Sequence, residues 1–226
     1  MIRRYKAFGL VLMALVALGA VAAQGASASP LTVSGVAKVF ITGTTHEGGP
    51  KHVLTSTTSV ECKVAHYSGS AAVVGGQVNE ITLTPTYTEC SAFGFATAHV
   101  KTNECHYTLT TPTKIKTGEV TWGKEQIHVL CTGGKKIEIT PTSFGVSVCT
   151  QFIDSQTPTA GHLVARNAGT ATAMDLTDEA TVEGITYTGT GGACGTHGTN
   201  AKFTGTTTSF CYSDEKHTVK VDCTFS

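Results

Sequence analysis

The chain has 226 residues, of which 40% are hydrophobic and 14% charged, with 16 Lys+Arg against 16 Asp+Glu. That balance carries no basic excess, and removal of the basic start of the chain would leave a net negative region, which argues against a nucleic-acid partner. The low charge density and the 40 threonines suit a polar β surface hydrated by hydroxyls.

Residues 1–28 read as a secretory signal. Arg3, Arg4 and Lys6 form a basic start, residues 7–23 are an uncharged apolar run, and Ala26-Ser27-Ala28 supplies small residues at the cleavage positions. The run is marginal for a membrane span. The expected mature region, 29–226, is therefore β-rich and exported, secreted or held in the cell envelope, with no membrane span after cleavage. Cleavage removes three basic residues and leaves 13 Lys+Arg against 16 Asp+Glu.

Beyond the signal the predicted elements are strands. Residues 36–42 and 52–58 read as strands, and a loop over 43–51 containing Gly48, Gly49 and Pro50 joins them. A strand over 60–66 and a small-residue turn over 69–76 lead into residues 80–110, the most regular stretch. There Ile81 and Leu83 alternate with Thr82 and Thr84, then Ala96, Ala98 and Val100 with Thr97 and His99, then Cys105, Tyr107 and Leu109 with His106 and Thr108. Apolar residues two apart define strands, where a helix needs them three and four apart. Pro85 cannot donate to a ladder, so an edge or a strand end is expected near it.

The motif Thr84-Pro-Thr-Tyr-Thr-Glu-Cys90-Ser-Ala-Phe-Gly-Phe, followed by Asn103-Glu-Cys105-His-Tyr-Thr-Leu109, resembles a group of uncharacterised secreted β-rich proteins from actinobacteria. Ile185-Thr-Tyr-Thr-Gly-Thr-Gly-Gly-Ala-Cys194 is similar to a later segment of that group. The resemblance spans about residues 60–205. It implies a secreted β-rich fold and no particular activity or site.

Further along, strands are expected around Val120 and Trp122, over 127–131 and over 136–141. The run Ile137-Glu-Ile-Thr-Pro141 echoes Glu80-Ile-Thr-Leu-Thr-Pro85, a weak sign of duplication. Residues 155–161 form the best linker, so a boundary between two packed halves is placed near 150–161. Strands then follow over 162–166, 170–175, 179–188, 202–208 and 217–225, with a Gly-rich loop over 189–198. Many short strands, frequent turn signals and no helix after the signal define an all-β, antiparallel sandwich or barrel-like fold.

Cys62, Cys90, Cys105, Cys131, Cys149, Cys194, Cys211 and Cys223 all fall in the exported region. An even count in an oxidising compartment means disulfides. Eight cysteines allow 105 connectivities. Because bridged Cα atoms must lie close and sequential strands are usually neighbours, near-neighbour pairing is favoured: 62–90, 105–131, 149–194 and 211–223. Zinc at Cys194…His197 with Cys105-His106 is the rival reading, and export weighs against it.

No motif assembles a catalytic or cofactor site. His46-Glu47…His52 lacks the four-residue histidine spacing of a zinc protease and reads as a solvated loop. There is no Gly-x-Ser-x-Gly elbow. Asp175, Asp178 and Glu179, and Asp214 with Glu215, read as solvated turn charges, although dispersed carboxylates could serve glycoside hydrolysis. Trp122 and the tyrosines at 67, 87, 107, 187 and 212 could stack on sugars or peptides; Tyr107, in phase with Cys105 and Leu109, reads as core. The expected function is a non-catalytic surface, matrix or ligand-binding module, needing no cofactor or metal and meeting an extracellular ligand or cell-surface partner. The alternative is a secreted hydrolase acting on carbohydrate. An enzyme would show a pocket with convergent titratable groups, and a binding module an exposed apolar patch.

Overall fold

Period-2 alternation runs through nearly all of the chain that the computed structural model describes, residues 31–170 and 173–226. The expected signal segment lies outside the described residues. Along β-strand 80–92, for example, Ile81 and Pro85 are buried while Thr84, Thr86 and Thr88 are exposed; the phase shifts by one residue at Glu89 (φ 51), beyond which Cys90 and Ala92 are the buried positions. An apolar inner face and a threonine-rich outer face follow directly from the sequence.

The described residues form 17 strands: β1 (Leu31–Val33), β2 (Lys38–Thr45), β3 (His52–Thr55), β4 (Ser59–Ala72), β5 (Glu80–Ala92), β6 (Ala96–Lys101), β7 (Cys105–Thr110), β8 (Thr113–Lys116), β9 (Glu119–Gly123), β10 (Ile127–Cys131), β11 (Ile137–Ser143), β12 (Val146–Ser147), β13 (Gln151–Ile153), β14 (Ala160–Thr170), β15 (Ala173–Gly189), β16 (His197–Tyr212) and β17 (Cys223–Phe225). All pairings between them are antiparallel, and the all-β class expected from the sequence is what forms.

The pairings close a ring. β16 pairs β3, β3 pairs β4, β4 pairs β5, β5 pairs β6, β6 pairs β11, β11 pairs β13, β13 pairs β15, and β15 returns to β16. The long strands β4, β5, β15 and β16 run on below this ring. There β2 lies between β16 and β4, and β7 and β10 continue the wall beside β5. The wall is an eight-position barrel, a size whose interior is just wide enough for side chains or one small ligand.

Residues 155–161, expected as a linker, help close this wall. The Gln156 backbone exchanges two hydrogen bonds with Val129 of β10, each 2.8 Å. Its side chain accepts from the Thr186 N–H at 2.7 Å and donates to the Thr186 carbonyl at 2.9 Å. One glutamine thus bridges β10 and β15 as a strand would. β5 does not end at Pro85. That residue sits in a gap on one edge of β5, between residues 80–83 paired with β7 and 90–92 paired with β6. The missing N–H is tolerated there. Residues 173–189 form one strand where two were expected, and residues 217–222 form a turn region before β17.

Both ends of the barrel are plugged. At one end β1 and β17 pair as a separate ribbon that buries Leu31, Val33 and Phe225, with Phe225 edge-on to Trp122 at 6.1 Å. At the other, the Gln151 amide donates to Ser56 Oγ at 2.7 Å and to the Cys194 carbonyl at 3.0 Å. The disulfides are Cys62–Cys90, Cys105–Cys131, Cys149–Cys194 and Cys211–Cys223, the near-neighbour set. The first two join residues directly opposite on paired strands, and the last two fasten the end plugs.

Candidate functional site

The barrel interior is not fully packed. It holds a cavity of about 170 Å³ whose wall is overwhelmingly aliphatic and aromatic, including Leu54, Leu83, Val100, Leu163 and Phe203. These five side chains keep part of their surface accessible although they point inward, and the cavity accounts for that surface. The volume equals roughly five or six waters at about 30 Å³ each.

A belt of polar side chains crosses this apolar space. His52 of β3, Tyr67 of β4, Tyr87 of β5, Tyr107 of β7, Asp178 of β15, and Thr207 and Ser209 of β16 all line the cavity. Four of them form a relay: His52 Nδ1 to the Tyr67 hydroxyl at 3.2 Å, Tyr67 to Tyr87 at 3.2 Å, and Tyr87 to Tyr107 at 3.0 Å. The rings pack as well, with His52 5.9 Å from Phe203, and Tyr67 edge-on to Tyr87 at 6.1 Å. Ser209 Oγ donates to the Asp178 carboxylate.

Two glycines make room for the belt. A Cβ on Gly205 would lie 2.2 Å from His52 Nδ1, and one on Gly43 would lie 2.8 Å from the Thr207 methyl. Gly43 stands opposite both Tyr67 and Ser209, so its missing side chain leaves space between the relay and the Asp178–Ser209 pair.

Burial governs the electrostatics. It holds the His52 imidazole neutral, lowering its pKa to about 4. Burial also lifts the hydroxyls of Tyr67, Tyr87 and Tyr107 above the usual phenol range. It raises the Asp178 carboxyl to about 6, against an opposing pull from the Ser209 hydrogen bond. His52 is 2% exposed, and its Nε2 has no hydrogen-bond partner. Either Nδ1 donates to Tyr67 and the relay delivers a proton towards Tyr107, or the relay runs the other way and Nε2–H is the orphan.

Two readings from the sequence are corrected here. Asp178 is not a solvated turn charge: it lies mid-strand in β15 and faces inward. Its neighbours Asp175 and Glu179 instead pair with Lys220 at 3.6 Å and Arg166 at 3.2 Å. His52 is not part of a solvated loop; that description fits residues 46–50, while His52 opens β3 inside the barrel. Asp214 does sit in a turn, accepting from the N–H groups of Thr218 and Val219 at 3.0 and 2.7 Å. Tyr107 faces the core, and Trp122 is buried at the plug with its Nε1 unpartnered. Cys105 and Cys194 are both in disulfides, and no group of three or more metal-ligating side chains converges among the described residues.

The belt went unread in the sequence, yet it left a trace. Tyr67, Tyr87 and Tyr107 are spaced 20 residues apart, about one hairpin repeat, so successive tyrosines arrive side by side. Among the described residues no helix is long and apolar enough to cross a membrane. Comparison with known proteins finds no matching family model, no similar curated protein and no similar solved structure.

Proposed function

We propose that the chain is an exported binding protein that holds one small, mainly apolar molecule inside its barrel. The carrying observation is the unfilled apolar cavity crossed by a belt of convergent polar groups. An empty cavity of that size costs about 4 kcal/mol at roughly 24 cal/mol per Å³. A core selected only for stability would fill it, whereas a ligand site keeps it. Apolar cavities of about 150 Å³ stay dry and accept benzene-sized guests. The four disulfides fit an oxidising, exported setting.

Titratable groups do converge here, but their states favour holding over reacting. The phenols stay protonated, and His52 is held by Tyr67. Glycoside hydrolysis needs two carboxylates across the substrate, and among the described residues Asp178 is the one carboxylate that lines the cavity.

Toluene titration with a thermal-melt readout tests the reading, using Ala180→Leu as a filled-cavity control. Ala180 lines the cavity, and the substitution adds three carbons to it. Toluene is expected to raise the melting temperature of the native chain and not of the variant, following ligand-linked stabilisation. No shift in the native chain at saturating toluene would overturn the proposal.

A further inference from the structure

The Asp178 carboxylate is the anomaly in the cavity. It lines an otherwise apolar space, its hydrogen-bond partner is the neutral Ser209, and no Lys or Arg is among the lining residues. The outward carboxylates on the same strand, Asp175, Glu179 and Glu183, pair with Lys220 at 3.6 Å, Arg166 at 3.2 Å and Lys202 at 2.7 Å. Asp178 has no such cation among the described residues. A buried carboxylate without a counter-charge is costly, and such groups are normally paired.

Ring systems line the same cavity: Tyr67, Tyr87, Tyr107, Trp122 and Phe203, with the rings of Tyr67 and Tyr107 6.4 Å apart and those of Tyr87 and Phe203 6.3 Å apart. Aromatic faces attract a cation placed within about 6 Å. The burial that keeps the phenols protonated leaves them as neutral rings and hydroxyls.

We infer that the ligand carries an organic ammonium, primary or methylated, on a small apolar body, and that this cation is the missing partner of Asp178. The inference rests on the binding function proposed above and adds the charge of the guest. The ammonium supplies the N–H donors and positive charge that the carboxylate lacks. The aromatic wall takes the remaining face of the cation, and the aliphatic wall takes the body. An anionic guest would meet a carboxylate and no cationic side chain. Calcium would want six or more oxygen ligands, and a zinc ion several converging His, Cys or carboxylate groups; among the described residues no group of three or more such side chains converges. A neutral alcohol or amide could donate one hydrogen bond but would leave the charge uncompensated.

The test is calorimetric titration of the oxidised full-length mature chain at pH 7.5 with benzylammonium, toluene and benzoate, repeated with Asp178→Asn. Benzylammonium should bind roughly tenfold or more tighter than toluene, the scale of a desolvated charge-assisted contact, and benzoate should not bind. Asp178→Asn should abolish the preference for benzylammonium over toluene. Toluene binding with no preference for benzylammonium, or a preference that survives Asp178→Asn, would overturn the ammonium inference while the cavity function stands. Absence of binding by all three probes would overturn both.

Discussion

Replacing Asp178 by Asn should stabilise this protein, and by an amount that depends on pH in a defined way. Asn has the shape of Asp and keeps an acceptor for Ser209, so the change removes charge and little else. The native carboxyl titrates near 6 instead of its ordinary 3.8. Between those values the folded chain binds one proton more than the unfolded chain, so this group's contribution to stability falls as pH rises. At about 1.36 kcal/mol per pH unit, the full loss is about 3 kcal/mol, complete above pH 6. His52 acts in the opposite sense. Its pKa drops from 6.5 to about 4, so the unfolded chain binds the extra proton and stability rises with pH across that window. In the native chain the two slopes nearly cancel between about pH 4 and 6. Urea midpoints measured from pH 4 to 8 with disulfides intact read both effects. Asp178→Asn should match the native chain near pH 4 and exceed it by about 3 kcal/mol at pH 7.5, and it should expose the rising His52 slope. A variant that is equal to or less stable than the native chain at pH 7.5 would refute the placement of a desolvated carboxylate in the core.

Three further outcomes follow from the architecture. Gln156→Ala leaves the N–H and C=O of Thr186 without their side-chain partners and opens the wall, so it should cost about 2–4 kcal/mol by chemical denaturation. Gln156→Glu, which keeps the acceptor, should recover part of that loss. Reduction of the disulfides should lower the melting temperature sharply. Closed loops of 12 to 45 residues are each worth about 3–4 kcal/mol by the chain-entropy account, and an unchanged melt after full thiol titration would reject it. Phe144 (φ 49) and Gly145 (φ 79) occupy the centre of the β11–β12 turn, where Asn-Gly is preferred, and Phe144 is fully exposed. Phe144→Asn should therefore stabilise by about 0.5–1 kcal/mol, seen as a small rise in urea midpoint.

Much of the fold was legible because a strand with one buried face writes its period into the sequence. Ile81 and Leu83 among threonines, and Cys105, Tyr107 and Leu109 in phase, mark β5 and β7 without further information. The cysteine pairing was legible for a related reason: Cys62 meets Cys90 across the consecutive antiparallel strands β4 and β5, and Cys105 meets Cys131 in register across β7 and β10, which pair although β8 and β9 lie between them in the chain. Closure of the barrel was not, because it depends on long-range pairing of β16 with β3 and on a glutamine side chain acting as backbone. Pro85 marked a local edge and not a strand end: the rule concerns a missing donor, and a gap in one edge satisfies it inside a long strand. Asp178 was hidden by its neighbours. Asp175, Asp178 and Glu179 look like one polar turn, and only the inward phase of β15 separates the buried carboxylate from the ion-paired ones on either side. His52 was masked in the same way by the Gly48-Gly49-Pro50 loop before it.

The central claim is that the barrel keeps a small apolar site open, and a crystal structure of the oxidised chain under xenon pressure tests it most directly. Xenon enters dry apolar cavities of this size. The account predicts a strong xenon peak inside the barrel, among Leu83, Tyr87, Val100 and Phe203. An interior with no xenon, its walls closed into contact or its space filled by hydrogen-bonded water, would contradict it.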